Sequence, residues 1–169
     1  PHVPALLRAL AEVQSRGLEC LAILFGRGPL EHDLHSWANR NKLGNCVSFL
    51  DVLANWEDIL GEVDFYVQPG AFYALHAGPY EALAHGCPLV TTRDTALDLV
   101  VEGKTGRLFD SGDYRGLADI LTEWLTDKFD WPEMSRQALA VARTDLALAA
   151  SFDKLIACYR ATLTEAGVR

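Results

Sequence analysis

The feature that most constrains the fold is a regular alternation of helical and strand patterns over the first 110 residues. Short, nearly continuous apolar runs such as "LAILF", "VSFL", "FYV" and "PLVTT" stand between segments whose apolar residues repeat with helical spacing. Such runs are typical of strands buried on both faces, and the intervening helices are crossovers between parallel strands. We therefore predict an α/β fold, a Rossmann-like doubly wound parallel sheet of five strands.

From Asp113 onwards the strand patterns stop, and the sequence predicts three C-terminal helices. These are "YRGLADILTEWLTD", "PEMSRQALAVARTDLAL" and "SFDKLIACYRATLTEAG", with Asp113, Pro132 and Ser151 as start signals. The upstream segment "TALDLVVEG" also has a helical pattern. No linker divides the sequence, so we expect residues 1–169 to form a single domain.

The sequence begins with a helical pattern, "VPALLRALAEVQSRG", whereas a doubly wound sheet begins with a strand in its middle. We expect the sequence to be a fragment that lacks this first strand. Otherwise the strands near residues 21–25 and 63–67 would have to close onto each other or accept a strand from another chain. A buried slot between them would leave backbone groups unpaired.

Composition narrows the classes of partner. The formal net charge of −8 argues against nucleic acid, because phosphate binding depends on lysine and arginine. No apolar run reaches the ~18 residues of a membrane span, so we expect a cytoplasmic protein. The scattered Cys20, Cys46, Cys87 and Cys158 are interpreted as free thiols in a reducing compartment, without metal-ligand spacing.

Ligands of open parallel sheets bind at the carboxyl ends of the strands, so the residues after each strand are the candidates. In "FGRGP", Gly26 and Gly28 would let backbone N–H groups approach a phosphate, although the same residues also suit a tight turn. The segment "EGKTGRLFD" is not a phosphate-binding P-loop, because Asp98 stands where that motif needs glycine.

The loop at residues 69–79 holds Tyr73 and His76 at a strand end, and Gly78-Pro79 then starts a short helix. Glu81 lies in the first turn of that helix. Two roles stay open for it: a favourable interaction with the helix dipole, or acceptance of hydrogen bonds from a vicinal diol such as a ribose.

Taken together, several segments resemble the C-terminal, donor nucleotide-binding half of a GT-B glycosyltransferase of the retaining group 1 (family 4). The similarity runs from Val3 to about Leu163, and "EALAHGCPLV" resembles the family's EA-[small]-A-x-G-x-P-V-V segment. The other segments are "LAILFGRGP", "VSFLDV", "VDFYVQPG", "LVVEGKTGRLF" and "SFDKLIACYRATL".

The resemblance implies a nucleotide-diphosphate sugar donor, transfer of its glycosyl group to a saccharide, lipid or protein acceptor, and no metal or other cofactor. It also implies an N-terminal acceptor-binding domain, which this sequence lacks and through which any peripheral membrane contact would be made. The chain alone would then be inactive. The alternatives are a non-catalytic GT-B-like binding module and a nucleotide-sugar epimerase of the same architecture.

Residue by residue, Glu81 matches the second acid of the family's E-x7-E motif, which binds the donor ribose. The first acid is replaced by Tyr73, and the glycine-rich stretch reads "YALH", so Tyr73 and His76 are the expected sugar contacts. The family's diphosphate-binding Arg and Lys would lie before Pro1. Asp51 and Asp94 are candidate substitutes for the lost acid. The expected nucleotide contacts are Gly26, Arg27, Gly28, Val52, Ala77, Gly78 and Glu81.

Overall fold

The computed structural model describes residues 2–51, 56–70, 77–95, 100–126, 130–144 and 148–165. Within these ranges the chain forms seven α-helices, five β-strands and two short 3₁₀ turns, at Leu43–Asn45 and Arg93–Thr95. In chain order the helices and strands are α1 (Val3–Ser15), β1 (Ala22–Phe25), α2 (Glu31–Arg40), β2 (Val47–Leu50), α3 (Glu57–Leu60), β3 (Tyr66–Gln68), α4 (Gly78–Ala84), β4 (Leu89–Thr92), β5 (Gly106–Phe109), α5 (Tyr114–Leu125), α6 (Trp131–Thr144) and α7 (Leu148–Glu165).

The strands are all parallel and confirm the predicted α/β class. They form two sheets, however, rather than the one continuous sheet that the sequence predicted. One sheet pairs β1 with β2, with Ala22 opposite Val47, and the other has the order β3–β4–β5. In the second sheet Leu89 lies opposite Tyr66 on one side and Gly106 on the other.

Of the two alternatives to a missing first strand, closure of the strands near residues 21–25 and 63–67 onto each other is contradicted for the described residues, and donation of a strand from another chain stays a prediction. Backbone hydrogen bonds of β1 go to β2, and those of β3 go to β4. Helix α1 packs against both α2 and α5, so it holds the two sheets in one layer without bringing β1 and β3 together.

Helices cover both faces of this layer. On one face α1, α2 and α5 contribute to the main apolar core, which includes the fully buried Leu7, Val13, Leu117 and Trp124. On the other face α4 and α6 cover a second cluster, where Leu83 and Ala138 meet Leu89 of the central strand. The strand β4 is buried at all four of its positions, as expected of a central parallel strand.

Local start and stop signals explain most of the element bounds. The Asp113 side chain accepts a hydrogen bond from the backbone N–H of Gly116 at 3.0 Å and caps α5, as predicted. Pro132 is the second residue of α6, where it needs no helical donor. Gly17 follows α1 with a φ of +79°, a left-handed conformation that suits glycine.

One predicted helix start is wrong, and one predicted helix is contradicted over the last residues of its segment. Ser151 does not start the last helix, because α7 begins at Leu148. The segment "TALDLVVEG" lies partly outside the described residues, and its last part, from Val100 to Gly103, is not helical. There the N–H groups of Lys104 and Thr105 donate to the carbonyl of Val101, at 2.9 and 3.0 Å, and form a tight turn into β5.

Helix α7 differs from the other long helices in its exposure. Every residue from Phe152 to Leu163 is exposed, although the helix has an apolar stripe. The exposed apolar side chains of this stripe are Phe152, Leu155, Ile156, Tyr159 and Leu163.

Candidate functional site

The candidate site lies at the carboxyl ends of the parallel strands, where the turns leave the sheet. After β1 this edge carries the turn 26–28, after β2 it carries Asp51, and after β3 it carries Pro69 and Gly70. After β4 it carries Arg93 and Asp94. Strand register sets these positions, so residues that are distant in sequence lie at the carboxyl ends of neighbouring strands.

The turn after β1 has an open backbone. Gly26 has a φ of +114°, and its N–H donates to the carbonyl of Leu50 at 3.1 Å, which ties the turn to the end of β2. A Cβ atom added to Gly26 or Gly28 would meet nothing within 4 Å. The carbonyl of Gly28 accepts from the N–H of Glu31 at the start of α2. Space is therefore available next to this backbone.

Arg27, at the tip of that turn, forms a two-pronged ion pair with Asp51 after β2. The hydrogen bond from Arg27 holds the pKa of the Asp51 carboxyl below its usual range, and Asp51 raises the pKa of Arg27. Both side chains are exposed, at 70% and 57%. An anionic ligand that used Arg27 would have to compete with Asp51, and Asp51 is not a free acid.

The short helix α4 begins at this same edge. Ala77 is its N-cap residue, and the carbonyl of Ala77 accepts from the N–H of Glu81 at 3.0 Å. Gly78 and Pro79 in the first turn are buried. The N-cap residue is alanine, whose side chain cannot accept a hydrogen bond from the first turn.

The end of α4 explains why this helix is so short. Gly86 has a φ of +75°, and its N–H donates to the carbonyl of Leu83, while the N–H of Cys87 donates to the carbonyl of Ala82 at 2.8 Å. This is the Schellman pattern of helix termination. A Cβ atom at Gly86 would also crowd Ser135 of α6, at 2.8 Å. The turn leads the chain directly into β4, and it therefore sets the position of α4 relative to the sheet.

Glu81 projects from the first turn of α4 into a half-buried position. Its Oε2 atom is buried and has no hydrogen-bond partner among the described residues. A buried carboxylate oxygen without a donor costs about 1–3 kcal/mol or more, so such an atom is unusual unless a ligand supplies the donor. This is the strongest signal of a ligand in the site.

Tyr66 and Gln68 of β3 form a polar cluster with Glu81 of α4, in which Gln68 is buried and the other two are half-buried. The Tyr66 hydroxyl donates to Oε1 of Gln68 at 3.2 Å, and Nε2 of Gln68 donates to the carbonyl of Gly70 at 3.0 Å. Burial, and then the nearby Glu81 and Cys87, raise the pKa of Tyr66 to about 12. Tyr66 therefore stays neutral and keeps the hydroxyl hydrogen that it donates to Gln68.

The sequence analysis missed Tyr66 and Gln68 as members of the site. Their signal was present: a glutamine two residues after a tyrosine, on one face of an otherwise apolar strand. It also missed the position of His2. The His2 ring, just before α1, packs so closely on Gly70 that any side chain at Gly70 would overlap it. The start of α1 is therefore at the same edge as the site.

Three of the predicted site residues, Val52, Tyr73 and His76, lie outside the described residues. Asp94 is exposed after β4, and its neighbour Arg93 pairs with Asp110 after β5 at 3.3 Å. A separate groove of about 320 Å³ lies among α1, α2 and α5, away from the strand ends, and is lined by residues such as Arg8 and Trp37.

Two features are absent from the part of the chain that the structure describes. No cluster of three or more His, Cys, Asp or Glu residues suited to a metal ion occurs in it. None of its helices is long and apolar enough to cross a membrane.

With this geometry established, comparison with known proteins identifies the family. The family model described as "Glycosyl transferases group 1" matches residues 2–127. The chain belongs to the group 1 glycosyltransferases. The sequence-based assignment to a GT-B group 1 glycosyltransferase is thereby confirmed, and the match ends close to the last residue of α5.

Individual relatives of this glycosyltransferase domain are named as transferases and sugar-nucleotide binders. A GDP-mannose-dependent alpha-mannosyltransferase from Corynebacterium glutamicum is 28% identical over 130 residues, which are 73% of this chain and 32% of that protein. Anabaena HepE, in a crystal structure with UDP-glucose, is 27% identical with a TM-score of 0.70, over 82% of this chain and 39% of that one.

A third relative supports the fold alone. Sucrose-phosphate synthase from Thermosynechococcus elongatus has a TM-score of 0.80 at 18% identity, over 97% of this chain and 43% of that one. The glycosyltransferase domain described here thus spans about a third of the curated relative and about two fifths of these two solved structures.

Proposed function

We propose that this chain is the donor-binding domain of a two-domain glycosyltransferase and that residues 1–169 form that domain. In this proposal a nucleoside-diphosphate sugar binds at the carboxyl ends of the strands. The observation that carries it is the buried, unpartnered Oε2 atom of Glu81 at that edge, because the hydroxyls of a ribose would supply the donors that this atom lacks.

The surrounding geometry is consistent with this ligand. The backbone of the turn 26–28 is open, and Ala77, the N-cap residue of α4, has no polar side chain that would compete with a phosphate. The N-terminal end of a helix favours negative charge. We assign the nucleotide contacts to Gly26, Arg27, Gly28, Val52, Ala77, Gly78 and Glu81, and the sugar contacts to Tyr73 and His76.

The proposed reaction of the whole protein is transfer of the glycosyl group to a saccharide, lipid or protein acceptor. The acceptor would be held by an N-terminal domain, and the chain by itself would bind donor without transferring it. We expect the protein to act in the cytoplasm and to need no metal ion. One relative is named as a mannosyltransferase and another is solved with UDP-glucose, which favours this reaction over a binding module or an epimerase.

The relatives leave both the nucleotide and the sugar of the donor open, since one is named for GDP-mannose and another is solved with UDP-glucose. The test is isothermal calorimetry on the full-length protein with UDP, GDP, UDP-glucose and GDP-mannose, combined with release of nucleotide in the presence of candidate acceptors. The proposal expects micromolar to millimolar binding of one nucleoside diphosphate. If no nucleoside diphosphate binds at millimolar concentration, the proposal is wrong.

A further inference from the structure

An exposed ion pair joins the two strands of the smaller sheet at their carboxyl ends. Arg27, in the turn after β1, donates from two guanidinium nitrogens to the two carboxylate oxygens of Asp51, which follows β2. Strand register brings the two residues together, because Phe25 lies opposite Leu50. An ion pair as exposed as this one contributes little to stability, so a ligand can rearrange it at small cost.

The Arg27–Asp51 pair and Glu81 lie on opposite sides of the expected ligand crevice. Ligands of open parallel sheets bind where the strand order changes. Here that point lies between β1 and β3, since β1 pairs with β2 and β3 pairs with β4. Glu81 belongs to the helix that follows β3, whereas the ion pair follows β1 and β2. A nucleotide whose ribose contacts Glu81 can therefore extend its base towards the ion pair.

The charges around Arg27 favour a neutral base over a phosphate at this position. The hydrogen bond to Asp51 raises the pKa of Arg27 most, and the nearby carboxylate of Glu31, at the start of α2, raises it further. Two carboxylates beside one guanidinium leave a local excess of negative charge, which repels a phosphate. A nucleobase carries no charge at neutral pH, and its N–H groups can donate to a carboxylate.

The backbone beside the ion pair leaves space for a planar ring. A Cβ atom added to Gly26 or Gly28 would meet nothing within 4 Å, so a base can approach the turn on either side of Arg27. The turn is nevertheless fixed in position, because the N–H of Gly26 donates to the carbonyl of Leu50 at 3.1 Å. Arg27 is therefore presented from an open but anchored turn.

A second arginine–aspartate pair at the carboxyl ends of the strands differs from the first in two ways. Arg93 pairs with Asp110 at 3.3 Å, and its guanidinium also donates to the carbonyl of Leu108 at 3.4 Å. This pair is thus tied to the backbone of β5. It follows β4 and β5, whereas the strand order changes beside β3. It serves as an internal control for the Arg27–Asp51 pair.

We propose that Arg27 and Asp51 contact the base of the donor nucleotide and make the site selective for guanine. The inference rests on the proposed function, because it takes a nucleoside diphosphate to bind at this edge. The two oxygens of Asp51 accept from N1–H and the N2 amino group of guanine. Arg27 donates to O6 and N7, the bidentate contact that arginine makes with guanine. These four positions follow one another along the rim of guanine, so a neighbouring acid and arginine can contact them together.

Uracil, the base of the other donor class found among the relatives, does not match the same two side chains. It has a single N–H group between two carbonyl oxygens, so a carboxylate that accepts from this N–H also faces an oxygen and is repelled. The second oxygen of Asp51 then has no donor on the base. Loss of a bidentate base contact changes affinity by about 5- to 150-fold.

The experiment is calorimetry on the full-length protein with GDP, UDP and inosine diphosphate, which is GDP without the N2 amino group. The proposal predicts that GDP binds at least tenfold more tightly than UDP, about the middle of that range, with inosine diphosphate between them. Asp51→Asn should lower the ratio of the UDP to the GDP dissociation constant at least fivefold, roughly the loss of one bidentate contact, because an amide offers only one acceptor oxygen. Asp110→Asn removes an acid from the second pair and should leave this ratio unchanged.

Three results would overturn the inference and leave the proposed function standing. UDP could bind as tightly as GDP or more tightly, which would show that the site does not select guanine. The ratio could be the same in the parent and the Asp51→Asn variant, or inosine diphosphate could bind as tightly as GDP, and either result would exclude the contact between Asp51 and the base. If none of the three nucleotides binds, the proposed function fails, and this inference fails with it.

Discussion

Replacement of Glu81 by alanine separates a ligand-binding acid from a structural one. If Glu81 accepts hydrogen bonds from a ribose, its removal should weaken nucleoside-diphosphate binding by about 1.5–3 kcal/mol, the range for hydrogen bonds to a charged group. Since each 1.4 kcal/mol is a factor of ten, the dissociation constant should rise about 10- to 150-fold. The measurement is calorimetry on the full-length protein with the nucleotide that binds the parent.

The same substitution should leave folding nearly unchanged, for reasons that the structure supplies. Loss of the favourable charge in the first turn of α4 costs at most about 1 kcal/mol. Against this, removal of the buried Oε2 atom relieves an unsatisfied polar group, which offsets the loss. We expect the free energy of unfolding of the Glu81→Ala variant to lie within about 1 kcal/mol of the parent, or above it.

A matched control removes the same charge elsewhere. Glu62 is an exposed acid in the turn after α3, and Glu62→Ala should change neither nucleotide affinity nor stability measurably. The reasoning would be refuted if the Glu81→Ala variant bound nucleotide as tightly as both the parent protein and the Glu62→Ala variant. Glu81 would then be only an acid at a helix terminus.

Three further predictions concern the fold and its charges. Trp124 is 1% exposed and contacts Phe65 with ring centroids 5.1 Å apart, so Trp124→Ala should lower the free energy of unfolding in urea by about 3–5 kcal/mol; a loss below 1 kcal/mol would contradict the packing. Burial raises the pKa of Cys87 from 9.0 to about 12, so the unfolded chain loses the thiol proton at a lower pH than the folded chain. The free energy of unfolding should therefore fall as the pH rises from about 9 to about 11. Urea titrations at each pH should show a smaller fall for the Cys87→Ala variant. Because Arg27 lowers the pKa of Asp51, NMR titration of the carboxyl groups should give Asp51 a pKa below the ordinary value of 3.8, and Arg27→Gln should raise it. An unchanged pKa of Asp51 in the Arg27→Gln variant would contradict the ion pair.

The sequence predicted those parts of the fold that depend on neighbours along the chain. The five strands, the cap at Asp113 and the start of α4 at Gly78-Pro79 all follow from local patterns of apolar residues, caps and turns. The start of α7 was predicted three residues late, because the serine that suits an N-cap lies inside the helix. A cap residue favours a helix start but does not exclude a longer helix.

The site was predicted less completely than the fold, because its geometry depends on contacts between distant residues. Sequence reasoning placed Glu81 in the first turn of α4, but it could not show that the Oε2 atom is buried without a partner. It proposed Arg27 and Asp51 separately, whereas strand register brings the two together as an ion pair. Side-chain contacts between two strand ends depend on the register of the neighbouring strands, which no local sequence pattern specifies.

The most direct test of the central claim is an NMR titration that maps where nucleotide binds. Amide shifts of the ¹⁵N-labelled protein would be followed as UDP or GDP is added. The account predicts that the largest shifts occur at Gly26, Gly28 and Glu81, at the carboxyl ends of the strands. Shifts confined to the groove around Arg8 and Trp37, with none at the strand ends, would contradict it.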